Sequence, residues 1–360
     1  MERFLCKTKI ISGAGAVAAL GELGSKRLLM VADPYFSASG KAAQIAAFAG
    51  AEATELFDRV KPDPTVELAA EGTSLVQRFA PDTVVALGGG SAMDCAKAMV
   101  YFSQQTVKLV AIPTTSGSGS EVTDFAILTH GGIKHPLVDE RLQPDVAILD
   151  SDLLKELPSG LVADAGFDIL THAVEAYTAT GAGAVSDALA ADAFCAAFAL
   201  LPASFAGKTG VRQRIHMAST MAGMAFSQAG LGLCHAMAHS LGGMFHVPHG
   251  RLNAILLPHV IDCNSHAAAH KYAKLARSAG LGGSADTLAV RNLKNGLVGL
   301  RRELGLPQTL AQAGIKPQEV RYRAKEIVKA TMEDPCCKTN PVLVEDFMVR
   351  RVLEEVTGRV

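Results

Sequence analysis

The sequence predicts two domains, an α/β domain over residues 1–157 and an all-helical domain over residues 158–360. Length is the first reason, because 360 residues exceed what one hydrophobic core commonly organises. Periodicity is the second. The first 150 residues alternate short β-branched runs with helical stretches, whereas Ala-, Leu- and Met-rich stretches dominate from about residue 160. The third is the position of glycine and hydroxyl residues directly behind the strand-like runs, where an open parallel sheet carries its ligand loops.

RLLMVAD (27–33), TVVALGGG (83–90), KLVAIPTT (108–115) and VAILD (146–150) read as buried strands, being apolar runs of strand length that stop at polar or turn residues. AAQIAAFAGA (42–51) and ELAAEGTSLVQRF (67–79) read as the intervening helices. In the second half, 163–178, 184–205, 211–229, 231–245 and 267–280 read as helices, followed by ADTLAVRNLKNGLVGLRRELG and PQEVRYRAKEIVKA. The hinge is expected at or just before LPSGLVADAG (157–166), and no tandem repeat is visible.

Composition narrows the function classes. The chain is 49% apolar with a net charge of -1, which suits a compact protein and excludes a disordered one. Basic and acidic residues are interspersed, so no concentrated positive surface invites nucleic acid. The N-terminus, MERFLCKTKIISG, has no secretory pattern. The most membrane-like segment, 188–207, is interrupted by Asp192 and Pro202 and is expected as a core helix, with no membrane partner. Seven scattered cysteines without a CxxC pair argue for reduced thiols in the cytoplasm. The adjacent Cys336 and Cys337 are expected in a loop near the C-terminal helix.

Two glycine signals compete. SGAGAVAAL (12–20) places Gly13, Gly15 and Ala18 in a GxGxxA pattern behind the strand-like TKII, with Asp33 twenty residues after Gly13. Such turns before helices are common, so the pattern reads either as a pyrophosphate turn or as a plain one. ALGGGSAMDCAKA (86–98) is the stronger signal. Gly88, Gly89 and Gly90 allow close backbone approach, and Ser91 opens a helix carrying Asp94 and Lys97. PTTSGSGSE (113–121) adds Thr114, Thr115, Ser116, Ser118 and Ser120 around Gly117 and Gly119. Neither segment ends in GK[ST], which disfavours a triphosphate loop. Two such loops after neighbouring strands point to a Rossmann-like dinucleotide site. Asp33, behind its strand, reads either as a ribose acceptor that would repel a 2'-phosphate, favouring NAD(H), or as a turn residue before Pro34.

A metal centre is predicted by the histidines. Five of the eleven lie between residues 235 and 259. Asp168 and His172, four apart in VADAGFDILTHAVEAY, share one helical face, and the spacing recurs at His235 and His239. His249 follows a glycine-containing turn and a proline. Asp168, His172, His235, His239 and His249 are thus five candidates for an ion such as Fe²⁺ or Zn²⁺, with His246 a sixth. A catalytic ion keeps a position open, so at least one of these is a neighbour of the ligands. HExxH and GxSxG are absent, which removes the zinc-protease and serine-hydrolase readings.

These segments together resemble the iron-dependent (group III) alcohol dehydrogenases along nearly the whole chain. GGGSAMDCAK, PTTSGSGSEVTDFAIL, AGFDILTHAVEAY and HAMAHSLGGMFHVPHGRLNAILLP carry the match. GIKHPLVDERLQPDVAILD and STMAGMAFSQAGLGLCHAMAH are most similar to the compact 1-propanol and ethanol dehydrogenases of diol and ethanolamine utilisation. The resemblance implies the dehydroquinate synthase-like fold, with a Rossmann-like first domain and a helical metal-binding second domain. It implies Asp168, His172, His235 and His249 as ligands, with the reacting oxygen in the open position and His239 as a proton relay. It implies the pyrophosphate at Gly88, Gly89, Gly90 and Ser91, and cofactor contacts from Asp94, Thr114, Thr115 and Ser118. Asp33 would meet the adenosine ribose, and Lys134 would make a further contact. The glycines at 13–15 lose their cofactor role, and His246 would face the rim of the cleft or stabilise its turn.

Where many relatives read Asn-Pro-Thr, this chain reads Asp63-Pro64-Thr65, and phosphate would repel that carboxylate, so Asp63 is not assigned to the site. The activity implied is hydride transfer between NAD(H) and a short-chain primary alcohol or aldehyde. A glycerol, 1,2-propanediol/lactaldehyde or 1,3-propanediol dehydrogenase is the alternative. A homodimer is implied, with residence in a bacterial microcompartment left open. His₃Asp does not choose between Fe²⁺ and Zn²⁺.

Overall fold

The structure, a computed structural model, describes residues 4–131 and 133–357. One compact unit comprises residues 5–157 together with 212–223. Its strands are β1 (Lys9–Ser12), β2 (Arg27–Ala32), β3 (Ala53–Phe57), β4 (Thr83–Gly88), β5 (Lys108–Pro113), β6 (Phe125–His130), β7 (Ile133–Val138) and β8 (Val146–Leu149). Six form a parallel sheet in the order β1-β8-β5-β4-β2-β3, while β6 and β7 pair as an antiparallel hairpin.

Side chains alternate across the sheet. Leu29, Val31, Val84, Ala86 and Ala111 pack on one face with Phe57, Val76 and Met99. Leu28, Met30, Val85, Leu87 and Val110 pack on the other with Leu20 and Ile45. With both faces covered, the central strands read as unbroken apolar runs. From β2 the chain moves out to β3 at the edge, then returns to β4 on the other side of β2. The crossovers therefore part at the C-terminal ends of β2 and β4, opening a crevice there. Register places Ala32 opposite Leu87, so Asp33 and Gly88 emerge side by side.

Residues 212–223, which periodicity groups with the helical half, pack here as the first turns of helix Arg212–Ala229. Three contacts explain it. A Cβ on Gly119 would stand 2.6 Å from Gly223 Cα, so two backbones meet where neither position tolerates a side chain. Thr220 donates to Glu121 Oε1 at 2.6 Å, and the Ser116 hydroxyl lies 2.9 Å from His216 Nδ1.

The other unit contains residues 158–211 and 224–357. Helix Ser159–Thr178 is buried from Val162 to Thr178 apart from Ala165. A helix enclosed on all sides must satisfy its polar side chains internally, and this one carries Asp168, His172 and Glu175. Helix Ala184–Phe205 is long and apolar enough to cross a membrane. Here it lies along Ser159–Thr178 with Ala190, Ala193, Phe194, Ala197 and Leu201 buried. Leu201 fills the space where Gly166 lacks a Cβ.

Helix His249–Ser278 runs through Pro258. Proline has no N–H for the carbonyl of Ala254, four residues earlier. Arg301, on helix Asp286–Glu303, replaces that donor, bonding Ala254 O at 2.9 Å and Ile255 O at 3.3 Å. Helices Leu233–Phe245, Pro317–Tyr322, Ala324–Glu333 and Asp346–Val356 complete the unit. Cys336 and Cys337 lie on the short turn Pro335–Thr339 before the last helix, and all seven cysteines are free thiols.

Candidate metal centre and nucleotide loops

Asp168 and His172 are one turn apart on the buried helix, His235 sits in the first turn of Leu233–Phe245, and His249 opens His249–Ser278. Asp168 Oδ1 lies 3.5 Å from His249 Nε2, 3.7 Å from His235 Nε2 and 3.9 Å from His172 Nδ1. These separations are at or beyond hydrogen-bond length. They are close to the edge of about 3.4 Å expected for N and O donors sharing one tetrahedral ion at ~2.1 Å. The rings of His172 and His235 stack at 4.4 Å, and Phe226 covers the first of them at 4.4 Å. The residues present fit a divalent cation.

Electrostatics point the same way. Burial pushes the Asp168 carboxyl up, but His172, His249 and His235 outweigh it and hold the group ionised, well below the carboxylate range. Burial pushes His235 down, yet hydrogen bonds and charge from Asp168 and Glu175 carry it to about 9. Two buried carboxylates thus draw positive charge into this pocket, a demand that a bound cation meets.

Glu175, on the same helix, was not foreseen as part of the site. Its carboxylate accepts from the backbone N–H groups of Gly232 at 3.0 Å and Cys234 at 2.7 Å, capping the helix that carries His235. It also accepts from His235 Nδ1 at 2.6 Å, which fixes the ring with Nε2 facing Asp168. Asn253 Nδ2 donates to Asp168 Oδ1 at 2.9 Å. Gly250 lets the start of the His249 helix meet the carbonyl of Asp164, where a Cβ would collide with the backbone.

His239 lies beside this group. Its ring stacks on His249 at 5.1 Å, and its Nδ1 is 2.9 Å from Asp334 Oδ2. Burial raises the Asp334 carboxyl, but the His239 hydrogen bond and charge bring it down to about 2. Asp334 Oδ1 accepts from Cys336 N at 2.8 Å, so the carboxylate is fixed from both sides. His239, Asp334 and Cys336 also have donor atoms close enough to share an ion, and burial drives the Cys336 thiol well above its ordinary value, which disfavours the thiolate an ion would need. His246 ends its helix with φ 55°, and its N–H bonds Gly242 O at 2.9 Å.

In the α/β unit the two strong loops come together. A Cβ at Gly89 would stand 3.2 Å from Thr115 Oγ1, and one at Gly90 would stand 3.2 Å from Ser118 Oγ. Thr114 N–H donates to Gly88 O at 2.9 Å. Gly88 has φ 153° and faces Asp33 Oδ2. Asp33 Oδ1 caps the next helix through Tyr35 and Phe36 N–H, leaving Oδ2 toward the crevice. Gly89, Gly90, Ser91, Thr115, Ser118 and Asp33 are partly exposed, while Thr114 is buried. Helix Gly90–Ser103 has no side-chain cap, so its first N–H groups are available to an anion.

Asp94 points inward instead. Its oxygens accept from Ser120 Oγ at 2.9 Å and Ile127 N–H at 3.1 Å. Lys97, fully buried, donates to Ser120 Oγ, Thr123 O, Thr123 Oγ1 and Phe125 O at 2.7–3.0 Å. Both residues thus shape the second loop. Lys134 Nζ lies 2.7 Å from Asp63 Oδ1. The competing turn at Gly13 and Gly15 is already filled, since Gly15 and Val17 N–H both donate to Asp150 at 3.0 Å. A carboxylate of the chain itself occupies the anion position that GxGxxA suggested.

A parallel sheet with glycine loops at its reversal, together with a His₃Asp cation centre in a helical unit, defines a metal-dependent oxidoreductase linked to NAD(H). Comparison with known proteins agrees. Residues 7–151 match the family described as "Iron-containing alcohol dehydrogenase", and residues 162–357 match "Fe-containing alcohol dehydrogenase family, C-terminal". The chain is 38% identical to the 1-propanol dehydrogenase of Citrobacter freundii over 99% of its own length and 100% of the relative's. It is 36% identical to the NADPH-dependent butanol dehydrogenase of Clostridium saccharobutylicum, over 98% and 97% respectively. The iron-containing alcohol dehydrogenase of Thermococcus thioreducens superposes with a TM-score of 0.91 at 32% identity, covering 98% of this chain and 99% of that one. The chain belongs to the iron-containing alcohol dehydrogenase family. Its reaction class is metal-assisted oxidoreduction between an alcohol and an aldehyde.

Proposed function

We propose that the chain interconverts short-chain primary alcohols and their aldehydes, 1-propanol with propionaldehyde or ethanol with acetaldehyde, using NAD(H). The observation that carries the reading is the convergence of three imidazoles on one Asp168 oxygen at 3.5–3.9 Å. Similarity to a 1-propanol dehydrogenase supports the substrate class.

Asp168, His172, His235 and His249 would hold a divalent cation, Fe²⁺ by resemblance and Zn²⁺ by equal chemistry. That cation would supply Lewis acidity toward the alcohol or aldehyde oxygen. Bound NAD(H) would supply the hydride chemistry. The chain's own residues do the remaining work. Glu175 holds the proton on His235 Nδ1, and Asn253 orients Asp168. His239, held at Nδ1 by Asp334, keeps Nε2 for receiving or returning the substrate proton. The amides of the partly exposed residues Gly89, Gly90 and Ser91 and the hydroxyls of Thr115 and Ser118 would receive the pyrophosphate, with Thr114 N–H holding the loop to Gly88 O. Asp33 Oδ2 would accept from the adenosine ribose. Free thiols support a reducing, cytoplasmic setting, with a microcompartment as its narrower form, and a homodimer is the expected assembly.

The test is anaerobic loading with Fe²⁺ or Zn²⁺, followed by NADH-dependent reduction of acetaldehyde, propionaldehyde, butyraldehyde and lactaldehyde. Preference for propionaldehyde or acetaldehyde supports the reading, and preference for lactaldehyde replaces it with a diol dehydrogenase.

A further inference from the structure

Asp63 is held at φ 56°, in the left-handed region where asparagine and aspartate are the commonest residues after glycine. Its carboxylate lies 2.7 Å from Lys134 Nζ, and the lysine is the more enclosed partner, 18% exposed against 43%. The backbone fixes this meeting. Thr129 N–H donates to Pro64 O at 2.8 Å, and Thr65 bridges to Thr129, so the 63–65 turn is pinned to the hairpin that carries Lys134. Thr65 in turn caps helix Val66–Phe79 through Leu68 N–H at 3.2 Å.

The hairpin that carries Lys134 is also bonded to the helix behind the first loop: Ile127 N–H donates to Asp94 at 3.1 Å, and Thr129, two residues further along the same strand, pairs with Lys134. Burial raises the Asp94 carboxyl, and Lys134 is among the cations that oppose the rise, after Lys97. Asp94 lies one helical turn, about 5.4 Å of axis, beyond the uncapped start at Gly90. The hairpin that carries Lys134 is thus fixed, through Ile127 and Asp94, to the first turns of the helix whose uncapped start would meet phosphate. Asp94 has both oxygens engaged inside the loop, whereas Asp63 is half exposed and sits on a turn. Of the two carboxylates near Lys134, Asp63 is the one whose removal leaves the second loop's bonds in place.

We propose that Asp63 is a positioning residue that draws Lys134 away from the dinucleotide phosphates and so sets cofactor affinity below what these loops would otherwise give. The inference rests on the reading that the Gly88–Ser118 loops bind NAD(H). The carboxylate that would be repelled by phosphate instead acts through its cation. Since the pair is partly exposed, the restraint is modest and sensitive to salt.

The experiment is a calorimetric titration of NADH into the metal-loaded parent, Asp63→Asn, Lys134→Gln and the double variant, at low and high ionic strength. Asparagine keeps the shape and suits the left-handed backbone. Asp63→Asn should tighten NADH binding about 3- to 5-fold at low salt, the range of an exposed ion pair, and less at high salt. Lys134→Gln should weaken binding, and the gain should vanish in the double variant. A gain that persists without Lys134 would mean direct repulsion between Asp63 and phosphate and would overturn the inference, as would unchanged or weaker binding in Asp63→Asn. A parent that binds no NADH overturns the nucleotide reading and this inference with it. A parent that binds NADH, with Asp63→Asn no tighter, overturns this inference alone.

Discussion

Glu175 Oε2 lies 2.6 Å from His235 Nδ1 while its other oxygen lies 2.7 Å from Cys234 N, so one buried carboxylate fixes both the ring and the helix that carries it. The neutral Glu175→Gln variant keeps the volume and loses the charge-assisted bonds. Its affinity for Fe²⁺ or Zn²⁺ should fall roughly 10- to 100-fold, the usual cost of losing such an orienting partner. Competition against a chelator measures this directly. Parent-like affinity would leave Glu175 as a helix cap alone.

His239→Ala separates a proton relay from a ligand. The imidazole is fixed at Nδ1 by Asp334 and stacks on His249. Turnover should drop on the order of 10²-fold or more, the range for a general acid–base group, while metal stoichiometry stays at the parent value. Elemental analysis beside the aldehyde-reduction rate gives both numbers. Loss of the ion would place His239 among the ligands.

Local patterns read well from sequence here. Two-sided burial made β2, β4, β5 and β8 visible as apolar runs, and the i, i+4 spacing put Asp168 and His172 on one face. The edge strand β3 and the two hairpin strands were hidden, whereas the other edge strand, β1, showed as TKII. β3 carries Glu55 and an exposed Leu56, and β6 and β7 lie outside the main sheet. The helix that begins at His249 was visible only from 267 because Pro258 interrupts its pattern, a break repaired by Arg301 from a distant helix. Glu175 was within reach, three residues after His172 on the same helical face. Asp334 was not, since nothing near it in sequence announces a partner 95 residues away. GxGxxA misled because Asp150, likewise distant, fills the turn.

Arg301 is 4% exposed, and burial lowers its guanidinium to about 10 without a carboxylate beside it among the described bonds. Its function here is to bond the carbonyls beside Pro258. Arg301→Met retains much of the stem and deletes the donors, leaving Ala254 O buried without its partner. Stability should fall by about 2–3 kcal/mol, readable as a lower urea midpoint with an unchanged slope. Arg301→Lys should recover part of the loss, because an ammonium can reach one carbonyl but not hold both and Gln308. Equal losses in the two variants would show that packing, and not donation, matters at this position.

His216 links acidity to the nucleotide loop. It is fully enclosed, with Nδ1 2.9 Å from the Ser116 hydroxyl, and burial lowers it from 6.5 to about 4 against weak opposition from the Pro113 backbone. An unfolded chain takes up this proton below about 6.5, while the folded chain refuses it until about 4. Between those values the unfolded state holds more protons, so stability rises with pH and is lost as pH falls. At 1.36 kcal/mol per pH unit the window is worth about 3 kcal/mol, of which about 2 should be gone by pH 4.5. His216→Asn can keep a bond to Ser116 without titrating. Urea unfolding of metal-free parent and variant between pH 7 and 4.5 should show the parent losing about 2 kcal/mol more than the variant. Parallel profiles would mean that His216 accepts its proton in the folded state as readily as in the unfolded one. A steeper parent profile in metal-free protein would place this part of the acid sensitivity beneath the Thr114–Ser118 loop and not at the metal ligands.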